Sequence, residues 1–129
     1  MKGYVDDIEK VTEENNDYRR VIYTGKHMQL VLMTLQPGEE IGEEVHEDID
    51  QFFRFEKGNG EVVIDGVSHK IKSDFGVIVP AGASHNVINT GNKPLRLYTL
   101  YGPPEHRKDV LQPTKADETE EHFDGETTE

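Results

Sequence analysis

The feature that most constrains this chain is how regularly its apolar stretches are cut. From Val21 to Tyr101 every β-prone segment meets Gly, Pro, Asp or Asn within about eight residues, too soon for a helix to bury a face. Gln29 to Leu35 (QLVLMTL) is closed by Pro37-Gly38. Phe52 to Glu56 runs into Lys57-Gly58-Asn59-Gly60, Glu61 to Ile64 into Asp65-Gly66, and Val67 to Ile71 follows, a pattern of consecutive antiparallel hairpins. Phe75 to Val79 ends at Pro80-Ala81-Gly82, and Val87 to Asn89 at Thr90-Gly91-Asn92. Leu95, Leu97, Thr99 and Tyr101 alternate with Arg96, Tyr98 and Leu100 until Gly102-Pro103-Pro104. About six to eight short strands at this spacing imply an all-β domain, an antiparallel sandwich or barrel.

The ends read differently. Residues 1–20 form an arm with scattered Val5, Ile8 and Val11, open between an added edge strand and a loose extension; residues 21–113 form the barrel. Residues 114–129 are an acidic tail, with seven Asp or Glu among residues 117–129 and Phe123 as the one large apolar group. So much like charge with one anchor predicts a solvated, largely disordered tail that adds little to stability. Thr114 and Asp117 stand at capping-box spacing, which leaves one short helical turn open.

Charge and composition narrow the partners. Against 14 Lys and Arg stand 26 Asp and Glu, a net charge of -12, so phosphate backbones and anionic lipid surfaces are repelled. No apolar run is long enough to span a bilayer and no secretion signal follows Lys2, so a cytoplasmic location is expected. With no Cys, there is no disulfide and no thiolate, and any metal must rest on His, carboxylate or amide groups. A Ser nucleophile is also not expected, because adjacent Ser84 and His85 diverge on a strand.

Two motifs supply such groups. Pro80-Ala81-Gly82-Ala83-Ser84-His85-Asn86-Val87-Ile88-Asn89 places a tight turn before a strand, which opens with His85 on the side of Val87 and Asn89. Upstream stand Gly38, Glu44, His46, Gln51 and Gly58. Glu44 and His46 share a strand face, and Gln51 joins them if the chain turns at Glu47-Asp48-Ile49-Asp50. Gln51, Phe53 and Phe55 then point inward, Phe52 and Arg54 outward, and a ring of Glu44, His46, Gln51 and His85 becomes available. Glu43, Glu47, Asp48 and Asp50 compete with Glu44 as the carboxylate, and Gln51 is open between ligation and ordinary hydrogen bonding. Tyr101 is a candidate for the mouth. His27, His69 and His106 fall outside the motifs and are read as surface residues, and Lys57-Gly58-Asn59-Gly60 as a hairpin turn without the helix and Lys that phosphate binding needs.

Over residues 28–102 these motifs resemble the cupin superfamily, of the small single-domain conserved-barrel type, whose pattern is G-x5-H-x-H-x3,4-E-x6-G and G-x5-P-x-G-x2-H-x3-N. Gly38, Gly58, Pro80, Gly82 and Asn89 match, while Glu44, His46, Gln51 and His85 fall on the family's metal ligands, with Glu44 replacing a His and Gln51 the Glu. Asp74 stands where the second motif opens with Gly. The resemblance implies a jelly-roll-like double-sheet β-barrel with a divalent metal (Fe, Mn, Ni, Co, Cu or Zn) at its mouth. It also implies a small polar molecule as partner, bound or transformed by metal-assisted chemistry such as dioxygenation or sugar isomerisation, or else held without turnover by a sensor or carrier barrel. A purely structural barrel is the remaining alternative. The outward Phe52 and Arg54 further predict a homodimer, unless Phe52 packs under the N-terminal arm.

Overall fold

The computed structural model describes residues 1–129. After helix α1 (Ile8–Glu14) come strands β1 (Arg19–Thr24), β2 (Gln29–Leu35), β3 (Glu44–Val45), β4 (Asp50–Lys57), β5 (Asn59–Ile64), β6 (Val67–Lys72), β7 (Gly76–Val79), β8 (Ser84–Ile88), β9 (Leu95–Gly102) and β10 (Leu111–Gln112). Six strands, in the order β10-β1-β2-β9-β4-β7, form one antiparallel sheet, and β3-β8-β5-β6 form the other. The two sheets face each other without closing into one hydrogen-bonded ring, a jelly-roll-like all-β fold.

Alternation builds the core as the sequence predicts. Phe53 and Phe55 of β4 and Leu95 and Leu97 of β9 are fully buried and meet Val62, Ile71 and Val87 of the smaller sheet. At the β5–β6 hairpin, Asp65 and Gly66 both take positive φ (46° and 80°), as a two-residue turn matched to strand twist requires. Gly58 combines φ 95° with a close approach, since a Cβ there would lie 2.7 Å from the Pro94 carbonyl oxygen.

The N-terminal arm is neither an edge strand nor loose. Asp7 caps α1 by accepting from the Lys10 N–H (3.2 Å), and the following Asn15 is fastened to β2, where the Thr34 hydroxyl donates to its carbonyl at 2.7 Å. Asn15 also accepts from Arg96 of β9. This covering layer explains why β2 is buried on both faces, Leu32 and Thr34 as well as Val31, Met33 and Leu35. No helix is long and apolar enough to cross a membrane.

The tail also departs from expectation. Asp117 accepts from the Thr114 N–H and hydroxyl and closes a short 3₁₀ turn, Lys115–Asp117. Beyond it the chain lies along the barrel, with Arg107 N–H donating to the Glu121 carbonyl (3.1 Å), Phe123 N–H to Glu105 (2.9 Å) and Thr128 N–H to Thr24 (2.8 Å). Counting apolar anchors misses this, because the segment is held by backbone pairing and by carboxylates that meet cations. Deletion of residues 117–129 is therefore expected to cost about 1–2 kcal/mol, a melting-temperature loss of roughly 5 °C by calorimetry. An unchanged melting temperature would mean that the segment adds nothing.

Candidate metal centre

Strand pairing assembles the site at one end of the sandwich. Glu44 and His85 are direct cross-strand partners on β3 and β8, and Gln51 on β4 is paired with Tyr101 on β9. The chain leaves β3 at His46 and turns at Glu47-Asp48 into β4, which brings His46 over the inner face. Ligand atoms of Glu44, His46 and His85 all lie within 4.8 Å of one another. The imidazole centroids of His46 and His85 are 5.3 Å apart, and Glu44 Oε2 is 2.9 Å from His46 Nε2. Gln51 is brought to the same end, buried, with its Nε2 donating to the Thr99 hydroxyl (3.0 Å). The rival carboxylates lie elsewhere: Glu43 accepts from the Ser84 hydroxyl (2.6 Å) on the exterior, and Asp50 accepts from the Ala81 N–H (2.9 Å).

Several buried polar atoms here are left without a hydrogen-bond partner. His85 Nδ1 and Gln51 Oε1 have none, and His46 Nε2, although close to Glu44, makes no aligned hydrogen bond to it. Such atoms cost about 1–3 kcal/mol each unless something satisfies them. Two imidazoles and a carboxylate that converge within 4.8 Å, with His46 Nε2 and His85 Nδ1 unsatisfied, fit the donor chemistry of a first-row divalent ion. Contact with Glu44 raises the pKa of His46 above the ordinary imidazole value against the opposing effect of burial. His85 is lowered, by burial first and then by the neighbouring His46. The pair thus offers at least one neutral ring near pH 7, the form that ligates.

Sequence reasoning missed half of the mouth. His106, read as a surface residue, stands beside the centre: its Nε2 is 3.3 Å from the Tyr101 hydroxyl and its ring meets Tyr101 edge-on at 5.2 Å. Burial, followed by the charge of Arg19, lowers its pKa to about 3, so it is a neutral imidazole. Burial likewise raises that of Tyr101, which remains a phenol. Glu105 Oε2 reaches His46 Nδ1 at 3.5 Å. Both residues are placed by buried Gln29, whose Oε1 accepts from the Glu105 and His106 N–H groups (3.2 and 3.0 Å) while its Nε2 donates to the His106 carbonyl (2.7 Å) and Thr24 hydroxyl (2.9 Å). The available signal was positional: Glu105-His106 follows the Gly-Pro-Pro that stops the inward-alternating strand β9. Arg19, which also lines the cavity of about 480 Å³, carries no mark distinguishing it from Arg20. Arg54 faces outward as read, paired with Glu56 (3.2 Å) and Asp74 (3.0 Å).

A double-sheet jelly roll with His and Glu donors gathered at one mouth defines the class, and the cupin domain profile matches residues 31–101. The chain belongs to the cupin family. It is 44% identical over 122 residues to YrkC of Bacillus subtilis (strain 168), covering 90% of this chain and 66% of that protein, so it spans just under two thirds of that relative's length. The crystal structure of BH2720 from Bacillus halodurans superposes with a TM-score of 0.88 at 41% identity, over 90% of this chain and 92% of that one. A predicted oxalate decarboxylase from Thermotoga maritima is similar at a TM-score of 0.58 and 27% identity, over 60% and 68% of the two chains.

Proposed function

We propose that this protein is a metal-binding cupin that holds a divalent ion through His46, His85 and Glu44, with Gln51 completing the set, and that it binds or transforms a small polar molecule at the mouth. The observation that carries this reading is the convergence of three donor side chains within 4.8 Å, with buried His85 Nδ1 left unpartnered. A bound ion would supply Lewis-acid polarisation and a fixed point of attachment. The Glu105 carboxylate stands at the mouth as a proton acceptor, while His106, held neutral, and the Tyr101 hydroxyl beside it (3.3 Å) offer hydrogen bonds to a ligand oxygen. The similarity to a predicted oxalate decarboxylase supports a small polar ligand.

The test is metal loading of chelator-stripped protein with Fe, Mn, Co, Ni, Cu and Zn, followed by oxygen-consumption assays with diols and hydroxy-acids. One ion per chain is expected, and no uptake of any of them overturns the reading. Because Glu44 holds His46 above the ordinary imidazole pKa, protons compete with the ion from a higher pH than at a free histidine. Manganese affinity should therefore fall about tenfold or more between pH 8 and pH 6 by calorimetry, and a flat profile would exclude imidazole ligation.

We also propose a homodimer formed through the outer face of the larger sheet. Support comes from Ile78, which is 70% exposed on edge strand β7 beside Phe52. Light scattering at high concentration should give twice the chain mass, and a monomer mass removes the proposal.

A further inference from the structure

The mouth contains a cation that the metal reading does not use. Arg19 is 3% exposed, and its Nη1 donates to Gln112 Oε1 (2.9 Å) and Glu118 Oε2 (3.0 Å). Its guanidinium carbon lies 5.2 Å from the Tyr18 ring centroid, and its Nε is buried with no partner. It lines the same cavity as Glu44, His46 and Glu105. A buried guanidinium demands anionic acceptors, and its planar fork suits a carboxylate.

The carboxylate now there is the chain's own. Glu118 follows the 3₁₀ turn and accepts from the Tyr18 hydroxyl (3.0 Å) and from Lys115 Nζ (3.0 Å) as well as from Arg19. From Glu118 to His122 the chain crosses the mouth as a strap, with His122 Nδ1 3.2 Å from Glu105 Oε1. No residue from Pro113 to Glu129 is buried, so the strap is tied down by hydrogen bonds and partly solvated ion pairs and not by packing. Such ties are individually weak and open locally at low cost.

Charge selects what can replace Glu118. Glu118 is the common acceptor of Arg19, Lys115 and the Tyr18 hydroxyl. When Glu118 leaves, those three donors lose their common acceptor, and a ligand carboxylate at Arg19 restores it. We propose that Arg19, with the Tyr18 hydroxyl, is a carboxylate-binding subsite of the mouth. Glu118 of the strap occupies it until a small carboxylate ligand, attached at its other end to the His46–His85 centre, takes its place. The inference rests on the metal-centre reading for that second attachment. It also refines what the overall charge implies: Glu44, Glu105, Glu118, Glu120 and Glu121 line the same recess, and the Arg19 guanidinium gives it one fixed positive group for a carboxylate.

The experiment uses malonate as probe, titrated by calorimetry into the full chain, manganese-loaded and metal-free, as wild type, Glu118→Gln and Glu118→Gln/Arg19→Gln. Glu118→Gln should bind malonate at least tenfold more tightly than wild type, and adding Arg19→Gln should cancel that gain. In wild type, saturating malonate should speed hydrogen exchange at the Arg107 and Phe123 amides, which bond to the Glu121 and Glu105 carbonyls. That arm decides the matter should the Arg19 variant fail to fold. Manganese-loaded Glu118→Gln with no gain, or malonate bound with both amides still protected, overturns the proposal while the metal reading stands. Protein that takes up no manganese yet shows the gain and the faster exchange overturns the metal reading and keeps the subsite.

Discussion

Replacing His85 with Ala is expected to reduce bound metal from about one ion per chain to under a tenth, and to abolish any ligand binding or activity that depends on it. Removing a group that only orients a ligand already costs ten- to a hundredfold in affinity, so loss of a direct ligand should exceed about a hundredfold. The fold should survive, because the ring removed carries a buried, unpartnered Nδ1 whose cost partly offsets the cavity left behind. The measurement is elemental analysis beside paired melting curves: wild type should gain melting temperature when manganese is added, and the variant should not. Ser84→Ala serves as control. Its hydroxyl donates outward to Glu43, so loading should not change. A His85→Ala protein that loads metal like wild type would move the centre elsewhere.

Gln29→Ala should have the largest effect on stability of any single polar substitution here. The side chain is fully buried and makes four hydrogen bonds, three of them to the backbone of Glu105 and His106. Truncation leaves two N–H groups and a carbonyl needing water or new partners, at a net cost of about 3 kcal/mol, or roughly 10 °C in melting temperature. A second readout separates positioning from bulk stability. If Gln29 fixes Glu105 and His106 over the mouth, amide exchange at those two residues should accelerate well below the melting transition. Metal loading through His46 and His85 should persist at low temperature. A melting temperature within 2 °C of wild type, a shift worth less than about 1 kcal/mol, would mean that the loop finds other support.

The barrel was legible because alternation and turn chemistry are local: Asp65-Gly66 had to be a tight turn, and Gln51, Phe53 and Phe55 had to share a face once one of them pointed inward. The donors followed from strand parity, which set Glu44 beside His46 and His85 at the opening of its strand. The other half of the mouth depends on pairings remote in sequence. Nothing near Glu105 or His106 reveals that a Gln on β2 will bind their backbone, and nothing near Arg19 reveals that β10 and the acidic segment will close over it. The helix was missed for a related reason: Asp7 is a good cap, but the seven residues of Ile8–Glu14 hold a helix only because the underlying sheet gives them something to cover.

The ligands proposed for the mouth come from both sheets and from the turn between them, with Glu44 and His85 on the smaller sheet, Gln51 on the larger and His46 where the chain crosses over. An ion gripped there would tie residues far apart in sequence, which is what a disulfide does for a secreted domain of this size. In polymer terms, it would close a long loop and favour the folded state by its full binding free energy, since the scattered donors of an unfolded chain offer no comparable grip. For a chain without a single Cys, the mouth would then be its one reversible crosslink, and ion availability would set how easily the two sheets part.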